Sequence, residues 1–255
     1  MIMIAAGTQD GRELTGLLLE HSHKVIASVV SHYGSELLKK YGDNLVINEQ
    51  PLDENGLEKY FKLHDIKIFI DASHPYAINV SQNAIAVCQK LNVSYIRYER
   101  NLTDLTKTHN VIVVDSYQAA IKAAADLGDN IFLTTGSRNL KKFTAASELK
   151  NKNIIARVLP TAEVVALCEK LGLTPASIVA LQGPFSKELN LELFRRYNAD
   201  VIITKNSGSL GGTDTKLAAA SALSLPIIVI DRPKLDYPQI GNSYEEILKF
   251  VEENH

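Results

Sequence analysis

Cysteine is scarce in this chain, with Cys88 and Cys168 far apart and no Cys-x-x-Cys pair. Each falls in an apolar helical pattern (AIAVCQK, EVVALCEK), which suits a small buried side chain in a reducing compartment and leaves a disulfide or metal pair as the weaker reading. A basic excess is missing too. The 27 Lys and Arg against 29 Asp and Glu give a net charge of −2, so nucleic acid is not an expected partner. A small anionic ligand stays open, because it needs only local positive charge. No apolar run approaches the ~18 residues of a membrane helix, and the start, MIMIAAGTQDGREL, turns polar too early for a signal peptide. The expected location is the cytoplasm, with no membrane partner.

Several catalytic signatures are also lacking. None of the ten tyrosines is followed four residues later by Lys, which removes the Tyr-x-x-x-Lys pair of short-chain dehydrogenases. There is no G-x-S-x-G elbow, no H-E-x-x-H helix and no full G-x-G-x-x-G fingerprint. No acid/base dyad declares itself and no metal site is expected. The hard chemistry of an enzyme built this way would belong to a cofactor.

What the chain does have is alternation. Short apolar runs at 2–6, 24–30, 44–48, 67–71 and 94–98, then at 110–114, 130–135, 153–158, 177–181, 200–204 and 226–230, read as strands. They are continuous rather than alternating, as strands covered on both faces are. Helical stretches lie between them, for example 77–90, 162–171 and 213–223. This spacing predicts right-handed βαβ units in an α/β protein with mainly parallel sheets. Eleven strands exceed one comfortable sheet, and the polar segment 99–109 marks a boundary. The expected lobes are residues 1–105 and 106–255.

Ligands of open parallel sheets bind outside the carboxyl ends of the strands, so those turns hold the candidates. After the first strand come Gly7, Thr8, Gln9, Asp10, Gly11 and Arg12. Gly7 permits close backbone approach, and the next helix turns its free N–H groups towards an anion such as a pyrophosphate; an ordinary βα turn accounts for the residues equally well. After the fourth strand come Ser73, His74, Pro75 and Tyr76. Pro75 is expected to open the next helix at its first position. The second half repeats the pattern at Thr135, Gly136, Ser137 and Arg138, at Gln182, Gly183, Pro184 and Phe185, and at Lys205, Asn206, Ser207 and Gly208. Gly211 and Gly212 then open a helix carrying Lys216. Arg12, Arg97, Arg100, Arg138, Arg157, Lys205, Lys216 and Arg232 stand near these ends; such cations suit a ligand with several carboxylates, although many Arg and Lys are simply solvated.

As an ordered set, these residues resemble the precorrin-6A reductases of cobalamin biosynthesis. AAGTQDGREL matches their G-G-T-x-E-A-R-x-L opening at Gly7, Thr8 and Arg12, departing at Ala6, Asp10 and Gly11. DASHPYA, YERN, TTGSRNL, ARVLP, LQGPFS, TKNSG and GG-x-x-x-K follow in the family's order. The resemblance implies two Rossmann-like lobes with strands exchanged between them and ligands in the interlobe cleft. It also implies hydride transfer from a reduced nicotinamide nucleotide to C19 of a corrin-precursor macrocycle, with protonation at C18. Cobalt, where present, would be part of the substrate.

On this reading Gly7, Thr8, Gln9, Asp10, Arg12, Ser31, His32 and Ser73 would bind the cofactor. NADPH is favoured over NADH because Val30-Ser31-His32-Tyr33 offers no acid against a 2′-phosphate. Lys205 and His74 are the candidates for orienting or protonating the substrate. Tyr76, Arg100 and Lys216 would hold the macrocycle with the second-half turns: Thr135 to Arg138, Gln182 to Phe185, Asn206 to Gly208, and Gly212. The rivals are a different nicotinamide-dependent reductase of the same fold, or a nucleotide-sensing module without turnover.

Overall fold

Each expected apolar run becomes a strand, because a run that is apolar on both faces is stable only when both are covered. The structure, a computed structural model, describes residues 1–42, 45–99, 103, 105, 110–208, 211–232 and 234–254. The chain runs β1 (Ile2–Ala5), α1 (Gln9–Glu20), β2 (Val25–Ser28), α2 (His32–Leu38), β3 (Val46–Asn48), α3 (Glu54–Leu63), β4 (Ile68–Asp71), α4 (Ile78–Leu91) and β5 (Ser94–Tyr98). It continues through β6 (Val111–Val114), α5 (Tyr117–Ala125), β7 (Asn130–Leu133), α6 (Leu140–Thr144), β8 (Asn153–Val158) and α7 (Ala162–Lys170). Next come β9 (Ile178–Ala180), α8 (Lys187–Arg196), β10 (Val201–Lys205), α9 (Thr213–Ala222), β11 (Ile227–Ile230), β12 (Ile240–Gly241) and α10 (Tyr244–Asn254). Thr8, Ser31, Asp53, Ser116, Thr161 and Ser186 cap α1, α2, α3, α5, α7 and α8, each accepting a backbone N–H three residues on. Such caps are worth about 1 kcal/mol apiece.

The strands form two six-stranded parallel sheets, ordered β3-β2-β1-β4-β5-β12 and β9-β8-β7-β10-β11-β6. Both follow the doubly wound 3-2-1-4-5-6 pattern of Rossmann-type folds. The sixth position is filled out of turn in each. β6, which follows β5 in the chain, joins the second sheet, and β12, which follows β11, returns to the first. Two compact units result, one of Met1–Asn101 with Pro233–His255 and one of Leu102–Arg232. The expected lobe of 106–255 is therefore corrected: its last segment belongs with the first unit. The reason is apolar burial, since Ile247, Phe250 and Val251 of α10 pack into the core around Ile2, Ile4, Ile70 and Ile96. Cys88 and Cys168 are buried and free. Among the described residues, no helix is long and apolar enough to cross a membrane.

Candidate active site

In the first unit the winding reverses between β1 and β4, so the turns after these strands diverge and open a crevice at their carboxyl ends. The Thr8 hydroxyl ties them together, donating to the Ala72 carbonyl at 2.8 Å and accepting the Gly11 N–H at 3.0 Å. Gly7 is exposed, and a Cβ there would meet nothing within 4 Å, so a ligand can approach the backbone. Gly11 is the opposite case. A Cβ on it would lie 2.8 Å from the Ala6 Cα and 3.1 Å from the Ala5 carbonyl oxygen, so only glycine lets α1 start this close to β1. These are two of the glycine roles in a dinucleotide site, close approach and helix–strand packing, and α1 presents its positive end there. The turn fits a pyrophosphate through its backbone.

Its side chains fit less uniformly. Gln9 is exposed and donates to Glu13 at 2.9 Å, and Arg12 is half-buried. Asp10, expected to face a cofactor, is buried with its carboxylate 3.5 Å from the Tyr244 hydroxyl. It thus serves the contact between α1 and α10. The same hydroxyl donates to Glu13 at 2.7 Å and is the main reason that carboxyl sits below its ordinary range.

At the end of β2, Ser31 is occupied as the α2 cap, and His32 is exposed. Val30 to Tyr33 carry no acid, as the sequence reads, but two carboxylates from further along the chain come close. Glu36 lies 3.6 Å from His32 Nε2, and Glu49, just past β3, lies 4.0 Å from its Nδ1. The Ser35 hydroxyl holds Glu49 at 2.5 Å. Glu36 comes round one helical turn and Glu49 arrives from the neighbouring strand, so neither shows in the local sequence of β2.

After β4 the chain is fixed by Asp71, which accepts from the Ser73 N–H, the Ser81 and Tyr95 hydroxyls and Arg97 Nη1. Arg97 also donates to the Ser73 hydroxyl oxygen at 3.1 Å. This network went unread in the sequence, where Arg97 counted as a ligand cation. Pro75 does not open α4 either. It forms a turn with Tyr76, and the helix begins at Ile78. The Tyr76 N–H donates to His74 Nδ1 at 3.3 Å, which in the neutral ring leaves the proton on Nε2. His74 is exposed at the lip of the crevice.

The second unit reverses its winding between β7 and β10. Gly136 (φ +76°) and Gly212 (φ +66°) take left-handed backbone in the turns there. Thr135 is buried, and among the described residues its hydroxyl has no partner. Ser137 is half-buried and Arg138 exposed. Asn206 is buried beside Lys205, and Ser207 is knitted to Thr213 through its N–H at 3.1 Å. Lys205 is pushed down to about 8 by burial and by the charge of Arg138. Lys216 reaches back from α9 to the Thr204 hydroxyl, 3.4 Å away. Gln182, Gly183 and Pro184 are exposed after β9, while Phe185 turns its ring under Arg157. Within each unit the structure thus gathers the expected turns at one sheet edge; Arg100 lies outside the described residues. A cavity of about 360 Å³ sits instead where β8 and β9 begin, near Asn153 and Ser177, and none of the site residues lines it.

Two doubly wound parallel sheets, one with a glycine turn opening a helix and the other with cationic strand ends, define a protein of the Rossmann-type α/β class. Residues 1–252 match the family described as "Precorrin-6x reductase CbiJ/CobK". The chain belongs to this family. It is 36% identical over 249 residues to the cobalt-precorrin-6A reductase of Priestia megaterium, covering 97% of this chain and 96% of that one. Identity is also 36% to the enzyme of the same name from Methanocaldococcus jannaschii, over 252 residues, 98% of this chain and 97% of that one. Among solved structures, a CobK precorrin-6A reductase superposes with a TM-score of 0.80 at 24% identity, covering 99% of this chain and 96% of that chain; this likeness bears on the fold.

Proposed function

We propose that this chain reduces one double bond of precorrin-6A, or of its cobalt-containing form, to give the corresponding precorrin-6B. The observation that carries the reading is the difference between its two crevices. One offers backbone and a helix terminus to a pyrophosphate, and the other offers cations to a ligand rich in carboxylates. A reduced nicotinamide nucleotide supplies the hydride for C19, and a proton reaches C18. The Gly7–Gly11 turn and the start of α1 hold the diphosphate, with Ser73 across from them. Arg138, Lys205 and Lys216 draw in the macrocycle's carboxylates, and the half-buried Phe185 gives it an apolar contact. His74 and Lys205 are the candidate proton donors. His74 has Nε2–H directed away from its bond to Tyr76, and Lys205 is held low enough to give up a proton near neutrality. Cobalt enters with the substrate, as the names of the relatives suggest for those proteins. We place the reaction in the cytoplasm, with its nucleotide pool.

The choice of nucleotide turns on the end of β2. The local sequence favours NADPH, but in the fold Glu49 and Glu36 flank His32, and fixed carboxylates repel a 2′-phosphate. Glu49 tips the reading to NADH. Steady-state oxidation of each nucleotide with the macrocycle tests both parts. The wild type is expected to prefer NADH, and Glu49→Gln to narrow that preference by about tenfold, the size of a single like-charge contact. A preference for NADPH that Glu49→Gln leaves unchanged would refute the selection. Binding without turnover with either form of precorrin-6A would leave the nucleotide-sensing rival standing.

A further inference from the structure

The second unit buries two basic side chains for which no described residue supplies a carboxylate. Arg157 and Lys216 are each only 6% exposed. Arg157 donates from Nη1 to Asn190 Oδ1 at 2.7 Å and lies 4.2 Å from the centroid of the Phe185 ring. Lys216 has one hydrogen bond among the described residues, to the Thr204 hydroxyl. Among the described residues, neither has a carboxylate at ion-pair distance. The charges that act on Lys216 are Arg157 from β8, Lys205 from β10 and, opposing them weakly, Asp214 on its own helix. Asn190, which faces the pair from α8, is neutral and pinned, donating to the Ser186 carbonyl at 2.8 Å and towards Thr215. The unpartnered Thr135 hydroxyl stands at the next strand end.

Buried like charges are unfavourable unless an anion joins them. A carboxylate suits this place, because the Arg fork binds it through paired donors and the ammonium adds a point charge. Leu159 and Leu181, exposed just past β8 and β9, add apolar surface for a flat ring beside it. We propose that Arg157 and Lys216 form the seat for one carboxylate side chain of the macrocycle, with Asn190 and Thr204 as the residues that position them. This deepens the reductase reading and rests on it.

The seat has a signature of its own. Burial, then the charges of Arg157 and Lys205, bring Lys216 down to about 7, so in the free enzyme it is mostly neutral above that pH. An arriving carboxylate raises it again, and the complex takes up a proton. The test is calorimetric titration of the full chain with uroporphyrin III, an octacarboxylate tetrapyrrole, in buffers of different ionisation enthalpy. At about pH 8 the wild type should take up close to one proton on binding. Lys216→Met and Arg157→Gln should each weaken binding about tenfold or more, the loss expected when one partner of a buried charge pair is removed. Lys216→Arg should bind with the uptake reduced to the fraction left to Lys205, a result that a merely structural lysine would not give. Unchanged affinity in both truncating variants, uptake undiminished in Lys216→Arg, or no binding by the wild type would each overturn the seat. Its failure is separable from that of the reductase reading. Wild-type reduction of precorrin-6A beside indifferent variants removes the seat alone, while a seat that behaves as described without any reduction removes the reductase. An unaltered KM for the nucleotide in Lys216→Met tells a macrocycle carboxylate from a nucleotide phosphate.

Discussion

At the end of β4 one carboxylate holds four donors. Asp71 receives a backbone N–H, two hydroxyls and the Arg97 guanidinium while fully buried. Burial alone would raise its pKa. The charge of Arg97 and the bonds from Ser73, Ser81 and Tyr95 outweigh this and hold it below the ordinary carboxylate range. Asp71→Asn leaves Arg97 charged and unpaired, which should cost about 3–5 kcal/mol at neutral pH. The sign with pH follows from linkage. A depressed carboxylate contributes its full stability above the unfolded value near 4, and loses it as pH falls through the lower folded value. Urea unfolding of wild type and variant should therefore differ most at neutral pH and converge in acid; a gap that stays constant into acid would contradict the assignment. The same residues show where sequence reading stops. Asp71 was visible as the last residue of the run 67–71 and Arg97 as a cation at a strand end, but their pairing joins adjacent strands and cannot be seen along one of them. Glu49 eluded the local reading of β2 for the same reason.

Whole elements were more legible than side-chain partners. The eleven expected runs are all strands, because β-branched residues buried on both faces leave a continuous apolar signature. The helices expected at 77–90, 162–171 and 213–223 appear as α4, α7 and α9, shifted by at most a residue or so. The miss is β12. Two residues, Ile240 and Gly241, carry no periodicity, and their place beside β5 is fixed by the burial of α10 rather than by themselves. Phe250 is the residue to test this. It is 5% exposed in the core of the first unit, and Phe250→Ala should cost about 3–5 kcal/mol. Hydrogen exchange of the intact variant should show the loss in β1, β4 and β5. If β7 and β10 lose protection instead, α10 does not support the first unit as described.

On the scale of the whole chain, the exchange of β6 and β12 makes one compact unit discontinuous and the other continuous. Chain order and fold are separable in such a case, provided the ends can be rejoined. Met1 donates its terminal ammonium to the Asp65 carbonyl, and Asn254 accepts from the Ser94 hydroxyl at 2.9 Å. Ser94 pairs with Ile68, and Ile68 with Ile2, so Ser94, which holds Asn254, and Ile2, which follows Met1, lie about two strand spacings apart, roughly 10 Å. A flexible linker of about six residues covers that span. A circular permutant that begins at Lys234, runs through α10 and the linker into β1, and ends at Arg232 would make both units contiguous while keeping every hydrogen-bonded strand neighbour. It should fold to the same helix and strand content by circular dichroism and keep its nucleotide affinity, since the Gly7–Gly11 turn and Glu49 are untouched. A permutant that expresses only as aggregate would mean that the path from β11 to β12, and not the final set of contacts, decides how this fold is reached.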